Sequence, residues 1–319
     1  MTNGKPIVDK WSMIMRPDLP GSFHLLPEIA EALEKNLPLV ALESTVITHG
    51  LPYPQSYTLA MEMEAVIRQT GAIPATIAVL DGIVRIGVEA PELERLGRGD
   101  AQASMHKISA RDFAPAIARS WSGGTTVAGT LLAARRAGLR VFATGGIGGV
   151  HRAPACDVSA DLGQLACSPL VVVCAGAKAI LDLDATLEYL ETCSVPVIGF
   201  QTDEFPAFYS RSSGLKTSAR ADTPEQVADI ARAHWGLGLT SAVLVAVPPP
   251  ESSALPPQLV ESAIQQALAD AQAQQVRGQA MTPFLLQRLN QLTQGSSLRA
   301  NLDLLKNNAR VAAEISLRL

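Results

Sequence analysis

Residues 139–180, LRVFATGGIGGVHRAPACDVSADLGQLACSPLVVVCAGAKAI, decide the fold. Two apolar runs, Val141–Ala143 and 170–175, each end in a glycine-containing turn with polar or ionisable residues beyond it. An open α/β sheet binds ligands at the carboxyl ends of its parallel strands, and these two runs have the form of such strands. His151, Arg152, Asp157, Ser159 and Asp161 lie between the runs and Lys178 follows the second. A base, two carboxylates and an amine can therefore converge at one sheet edge. The spacing marks a site without naming a reaction.

Working outward, 26–36 has helical spacing, 37–42 (LPLVAL) reads as a buried strand, and Glu43 stands where that strand runs out. The segment THGLPYPQ at 48–55 is irregular by its glycine and prolines, and Gln55–Thr70 returns to helical spacing. Ile73–Leu80 and 83–88 flank Asp81-Gly82, a strong hairpin signal that makes the sheet mixed. A short helix covers 91–96, and Ser109 with Asp112 opens another through a capping-box-like start, with Lys107 just before it. SGGTTVAG at 122–129 is a glycine-threonine turn opening a helix to about Ala137, and its N–H groups offer an anion site. Downstream come a helix at 180–192, a strand at 195–200, a polar-aromatic loop at 201–214 suited to covering a site, a helix at 223–235 and a strand at 242–247. The remainder from Pro256 is helical, with breaks at Gly278 and Gly295. This order predicts a three-layer α/β/α fold with a mixed, largely parallel central sheet and a helical C-terminal segment. It forms a single catalytic α/β domain over 26–319, behind an N-terminal extension at 1–25.

Composition narrows the function classes. The chain has 319 residues, 47% hydrophobic and 18% charged, with a formal net charge of -4, and its basic residues are scattered. No electrostatic footprint for a nucleic-acid polymer is visible. No apolar stretch is long enough to span a bilayer. Cys156, Cys167, Cys174 and Cys193 form no C-x-x-C pair, and two of them lie in or beside apolar runs as small hydrophobes, so a reducing cytoplasm is expected.

Each chemical feature has two readings. TGGIGG lacks the G-x-G-x-x-G spacing, because position 151 is His, and no Gly-Lys-Ser/Thr follows the 122–129 turn. Either cluster is a tight turn or a phosphate cradle. Lys178 is a partly desolvated nucleophile or a lysine snorkelling from a strand end. Asp157 and Asp161, four apart around Ser159, share a helical face suited to a hard cation, or serve as an N-cap. His49 and His151 are acid-base groups or hydrogen-bonded structural residues. Glu43 is the most informative carboxylate, since a charge closing so apolar a strand is costly unless paired or used. Asn301 and Asn308, on one face of the last helix, recognise an amide-bearing base or join two helices.

The strings ALESTVITHGLPYPQ, PATIAVLDG, TTVAGT, VFATGGIGGVHR, DVSADL, VVVCAGAKAILD, LEYLET, GFQTDEFPAFYSRSSG, TPFLL and NNAR occur in order from about Leu26 to the C-terminus. Together they resemble the pseudouridine-5'-phosphate glycosidase family, related to indigoidine synthase A. The resemblance implies a lyase-type enzyme that reversibly converts pseudouridine 5'-phosphate and water to uracil and ribose 5-phosphate. It further implies a role in pseudouridine catabolism, one divalent metal ion per subunit, usually Mn2+, and a cytoplasmic homotrimer. On this resemblance the proton donor falls on Glu43, the covalent lysine on Lys178 and the metal ligand on Asp157. Lys107, Thr126, Val127, Ser159, Ala160 and Asp161 fall on substrate-contacting positions, and His151 and Asn301 in matching motifs. The 152–157 segment is shorter than the family pattern.

A C-glycosidic bond has no leaving-group oxygen or nitrogen to protonate, so paired carboxylates alone have nothing to act on. A lysine imine makes the carbon bond breakable by giving the sugar a stable cationic form. The alternatives are a Schiff-base aldolase for another phosphosugar, separated by release of free uracil, and a non-catalytic sugar-phosphate binder, which has no use for Lys178 beside Glu43.

Overall fold

The computed structural model describes residues 19–99, 105–152, 157–276 and 281–319. In chain order its strands are β1 (Phe23–Leu25), β2 (Leu39–Leu42), β3 (Ile73–Leu80), β4 (Ile83–Ile86), β5 (His106–Ile108), β6 (Gly123–Thr125), β7 (Val141–Ala143), β8 (Val150–His151), β9 (Val171–Cys174), β10 (Leu181–Asp182), β11 (Val197–Phe200), β12 (Ala219–Ala221) and β13 (Val243–Ala246). The helices are α1 (Pro27–Glu34), α2 (Gln55–Thr70), α3 (Ala90–Arg98), α4 (Phe113–Ala118), α5 (Val127–Ala137), α6 (Ala160–Leu165), α7 (Leu183–Thr192), α8 (Pro224–Gly236), α9 (Pro257–Ala273), α10 (Met281–Leu292) and α11 (Ser296–Ser316).

An 11-stranded sheet runs β1-β4-β3-β2-β7-β9-β13-β11-β12, with β5 and β6 joined to it through β3. From β3 through β2 to β12 every neighbouring pair along this path is parallel, whereas β4 and β6 run antiparallel to β3. The expected hairpin supplies the first of these antiparallel pairs. Asp81 and Gly82 sit at φ 51° and 77°, the two positive values that this tight turn requires. Arg95 grips the Asp81 carboxylate through two 2.8 Å hydrogen bonds and holds its pKa down to about 2.

Strand alternation explains the three layers. Leu39, Ala41, Phe142, Val172, Cys174, Leu244 and Ala246 enter one core, and Val40, Leu42, Val141, Ala143, Val171, Val173, Val243 and Val245 enter the other. Successive side chains of a strand point to opposite faces, so a sheet apolar at every position must be covered twice. α1, α5, α6 and α7 supply one cover, while α2, α8 and α11 supply the other. Burial pushes the Cys174 thiol up to about 12, so this cysteine packs as an inert hydrophobe.

The structure departs from the sequence reading in several places. Phe23–Leu25, assigned to the extension, is a strand parallel to β4. Residues 1–18 of that extension and Gly278 lie outside the described residues. The segment 48–55, expected to be irregular, begins inside one turn of π-helix at Val46–Gly50, and its Tyr53-Pro54 bond is cis. Gly123–Thr125 is not a turn but strand β6, with Thr126 capping α5 directly behind it. Among the described residues no helix is long and apolar enough to cross a membrane.

Candidate active site

β2, β7 and β9 are successive parallel strands, and the chain leaving their carboxyl ends delivers Glu43, Thr144 and Lys178 to one edge. Thr144 Oγ1 donates a hydrogen bond to Glu43 Oε1. Burial raises the Glu43 pKa above the ordinary carboxylate range and the charge of Asp161 adds to this, while Lys178, the Thr144 hydrogen bond and Lys107 act in the opposite sense. A carboxyl that burial makes hold its proton more tightly than an ordinary one is suited to donate that proton.

Lys107 reaches the same space from β5. Burial and the like charge of Lys178 lower its pKa, and Asp161 and Glu43 pull it back. Glu43, Lys107, Lys178 and Asp161 are therefore close enough for their charges to act on one another. His49 sits beside Lys107, where burial and that lysine's charge lower its pKa, and its Nδ1 lies 2.7 Å from Thr48 Oγ1.

The glycine turn allows this convergence by close approach. A Cβ on Gly148 would fall 2.1 Å from Ser159 Oγ, so no larger residue fits without displacing α6. Asp161 Oδ2 accepts from Gly148 N and Oδ1 from Ala128 N, both at 2.8 Å. This buried carboxylate therefore ties the glycine turn to the start of α5. Ser159 caps α6 by accepting from Asp161 N, and Ala160 begins that helix. Asp161→Ala orphans two buried N–H groups, and an unmet buried donor costs about 1–3 kcal/mol. We expect a loss of about 3 kcal/mol in denaturant-unfolding stability for this variant.

Those protein partners narrow the expected anion site. Thr125 N donates to Ser44 Oγ at 3.0 Å, Thr126 N to Ile108 O at 3.0 Å, and Gly129 N to Thr126 Oγ1 at 3.2 Å. Among the described residues, Val127 N–H is the one amide at this helix start left without a partner, and Lys107 lies on the neighbouring strand opposite Gly124.

Asp157 is not on a helix, so it shares no helical face with Asp161. Its side chain is 52% exposed, with Oδ2 3.8 Å from His151 Nε2, and its carbonyl accepts from His151 N at 2.9 Å. Among the described residues no three His, Cys, Asp or Glu side chains converge. One exposed carboxylate fits only a hard cation that keeps most of its waters. Arg152 makes a bidentate pair with Glu261 of α9, at 2.7 and 3.1 Å.

The last helix holds the Thr144 carbonyl of the site through Asn308. Asn308 Nδ2 donates to Thr144 O at 2.9 Å, whereas Asn301 is half-buried earlier on α11. The 201–214 loop covers the glycine turns as expected. Phe208 N donates to Ala175 O, and the Phe208 ring lies against Gly146. Sequence reasoning missed Thr144, although a polar residue closing the apolar run VFA is the same signal that marked Glu43.

The model of a family described as "Indigoidine synthase A like protein" matches residues 28–318. The chain belongs to the indigoidine synthase A-like family. Among its relatives in this family, a pseudouridine-5'-phosphate glycosidase of Caldanaerobacter subterraneus subsp. tengcongensis is 49% identical, over 92% of this chain and 96% of that protein. Another of that name, from Paracoccus denitrificans, is 51% identical over 93% of this chain and 98% of that protein. The crystal structure of the prealnumycin C-glycosynthase AlnA in complex with ribulose 5-phosphate matches with a TM-score of 0.86 and 39% identity, covering 95% of this chain and 98% of that one. An indigoidine synthase A-like protein of Thermotoga maritima matches with a TM-score of 0.84 and 34% identity, covering 93% and 96%.

Proposed function

We propose that the chain is a pseudouridine-5'-phosphate glycosidase that works through a lysine imine. The observation that carries this is that Glu43 and Lys178 leave the carboxyl ends of strands separated only by β7, near enough for the Lys178 charge to act on Glu43, with the acid's pKa raised by burial and Thr144 bonded to it. Relatives of about the same length and half-identical sequence bear that name. In this reading Glu43 protonates the ribose ring oxygen as the ring opens, and the Lys178 amine adds at C1'. The nitrogen lone pair then forms C1'=N while the C1'–C5 pair leaves with uracil, which takes a proton at C5. Water hydrolyses the imine to ribose 5-phosphate and frees Lys178. Incubation with pseudouridine 5'-phosphate and Mn2+ should release equal amounts of uracil and ribose 5-phosphate. No uracil from folded, metal-supplied protein would exclude the reading.

Lys107 and the Val127 N–H are the groups we assign to the phosphate, a cation and a helix-terminal donor on adjoining elements. Lys107→Ala should raise KM for the nucleotide about 100-fold while leaving the already poor turnover of unphosphorylated pseudouridine nearly unchanged. Equal loss for both would remove the assignment.

Asp157 would hold Mn2+ or Mg2+, which supplies positive charge for water or substrate oxygens. Chelation should abolish uracil release and added Mn2+ should restore it. Asp157→Ala should remain inactive with saturating Mn2+ while keeping its melting temperature. A homotrimer is the assembly we expect, readable by light scattering.

A further inference from the structure

The geometry points to Asn308, on the last helix, as a positioning residue that holds the Thr144–Gly145 turn under the catalytic edge. Asn308 is 1% exposed, and its Nδ2 lies 2.9 Å from Thr144 O and 3.4 Å from Gly145 O. Both neighbours are carbonyls, so the amide nitrogen must face them. Gly145 O has a second donor in Ala175 N, at 2.9 Å. Thr144 O has Asn308 alone among the described residues. The same Thr144 donates from its hydroxyl to Glu43. Asn308, Thr144 and Glu43 thus form one line from α11 to the acid.

The other end of the carboxamide strengthens the argument. Asn308 Oδ1 is buried without a partner. Simple core packing gives no reason to tolerate that, since Leu304, Leu305, Ala309 and Ala312 around it complete an apolar helix face. Gly145 is shaped to the same helix, because a Cβ there would lie 3.1 Å from Leu305 Cδ2. A residue whose donor is used and whose acceptor is left unmet is placed for what it holds. It touches neither the acid nor the amine, so it acts through Thr144.

The inference rests on Glu43 being the acid of the proposed reaction, and its test separates the two. Lys178, Lys107 and Asp161 also act on the Glu43 charge and are left intact in every variant. Removing the Thr144 hydroxyl takes a hydrogen bond from the carboxylate form, so Thr144→Val should move the high-pH limb of kcat for uracil release upward. Asn308→Ala, with Asn308→Ser as a second variant in case alanine does not fold, should move that limb the same way. It should also lower kcat about tenfold with KM within about twofold of wild type. The double variant with Thr144→Val should move the limb no further than Thr144→Val alone. A limb that stays in place in the folded Asn308 variant while Thr144→Val shifts it, or shifts that simply add, would overturn the inference. Absence of any limb, or no response to Thr144→Val, would remove Glu43 as the acid and the role of Asn308 with it.

Discussion

Lys178→Ala should release no uracil from pseudouridine 5'-phosphate, a loss of at least about 10^4-fold, because the variant lacks the nucleophile of the proposed step. The comparison that gives this meaning is chemical. Borohydride added during turnover of the wild-type protein should reduce the imine to a stable amine and leave a ribose-phosphate mass on the peptide containing Lys178. The alanine variant should carry no such mass. The backbone at this position is set by other groups, since Lys178 N donates to Ile147 O at 3.0 Å and Lys178 O accepts from Leu181 N at 2.9 Å. Truncating the side chain leaves both bonds, so the variant should fold and keep its melting temperature. An adduct on Lys107 instead would transfer the covalent role to β5, and normal uracil release by Lys178→Ala would end the covalent mechanism.

Glu43→Gln should slow uracil release about 10^3-fold, within the range by which a placed acid accelerates a reaction. Glutamine retains an acceptor for the Thr144 hydroxyl, so the edge should hold its shape and substrate should still bind. The imine should not build up from pseudouridine 5'-phosphate, since ring opening precedes amine addition. Ribose 5-phosphate opens to its aldehyde unaided and should still be trapped on Lys178. The pH dependence follows from the raised pKa. A raised carboxyl stays protonated at pH values where an ordinary one has ionised, so the wild-type rate should hold through that interval and fall as pH rises through the folded-state value. Stability has the same sign. The protonated acid's contribution is complete below the unfolded-state value and is lost as pH rises through the folded one. A rate that increases through this interval would assign Glu43 the role of base.

Much of this was legible from strand ends. LPLVAL followed by Glu43, and VVVCAGA followed by Lys178, identify the edge because apolar runs cannot bury a charge without purpose. The Asp81-Gly82 hairpin was equally plain, since only one backbone geometry suits that pair. Local spacing failed where a distant partner decides. Asp157 and Asp161 look like helical neighbours, yet α6 starts at Ala160 and Asp161 turns toward Ala128 and Gly148. The 122–129 turn advertises free amides, but Ser44, Ile108 and Asp161 claim them from other parts of the chain. Between Asn301 and Asn308, helical periodicity gives the same face to both, and only the docking of α11 under Thr144 distinguishes them.

That docking also bears on how the enzyme comes into being. α11 packs on α2, β2, β7, β9 and α8, so the earliest parts of the chain wait for nearly its last to be covered. Contacts of such long sequence separation form late and slowly. During synthesis the strands carrying Glu43 and Lys178 emerge well before the helix that closes one face of their sheet, leaving Val40, Val141 and Val173 open to solvent or to a chaperone. A polypeptide cut short before Ser296 would hold Glu43, Lys107, Asp157 and Lys178, yet it would lack Asn308 and still expose that apolar face. Proteolysis would remove it more readily than the finished protein, so the cell would discard the incomplete molecule instead of keeping a poor catalyst.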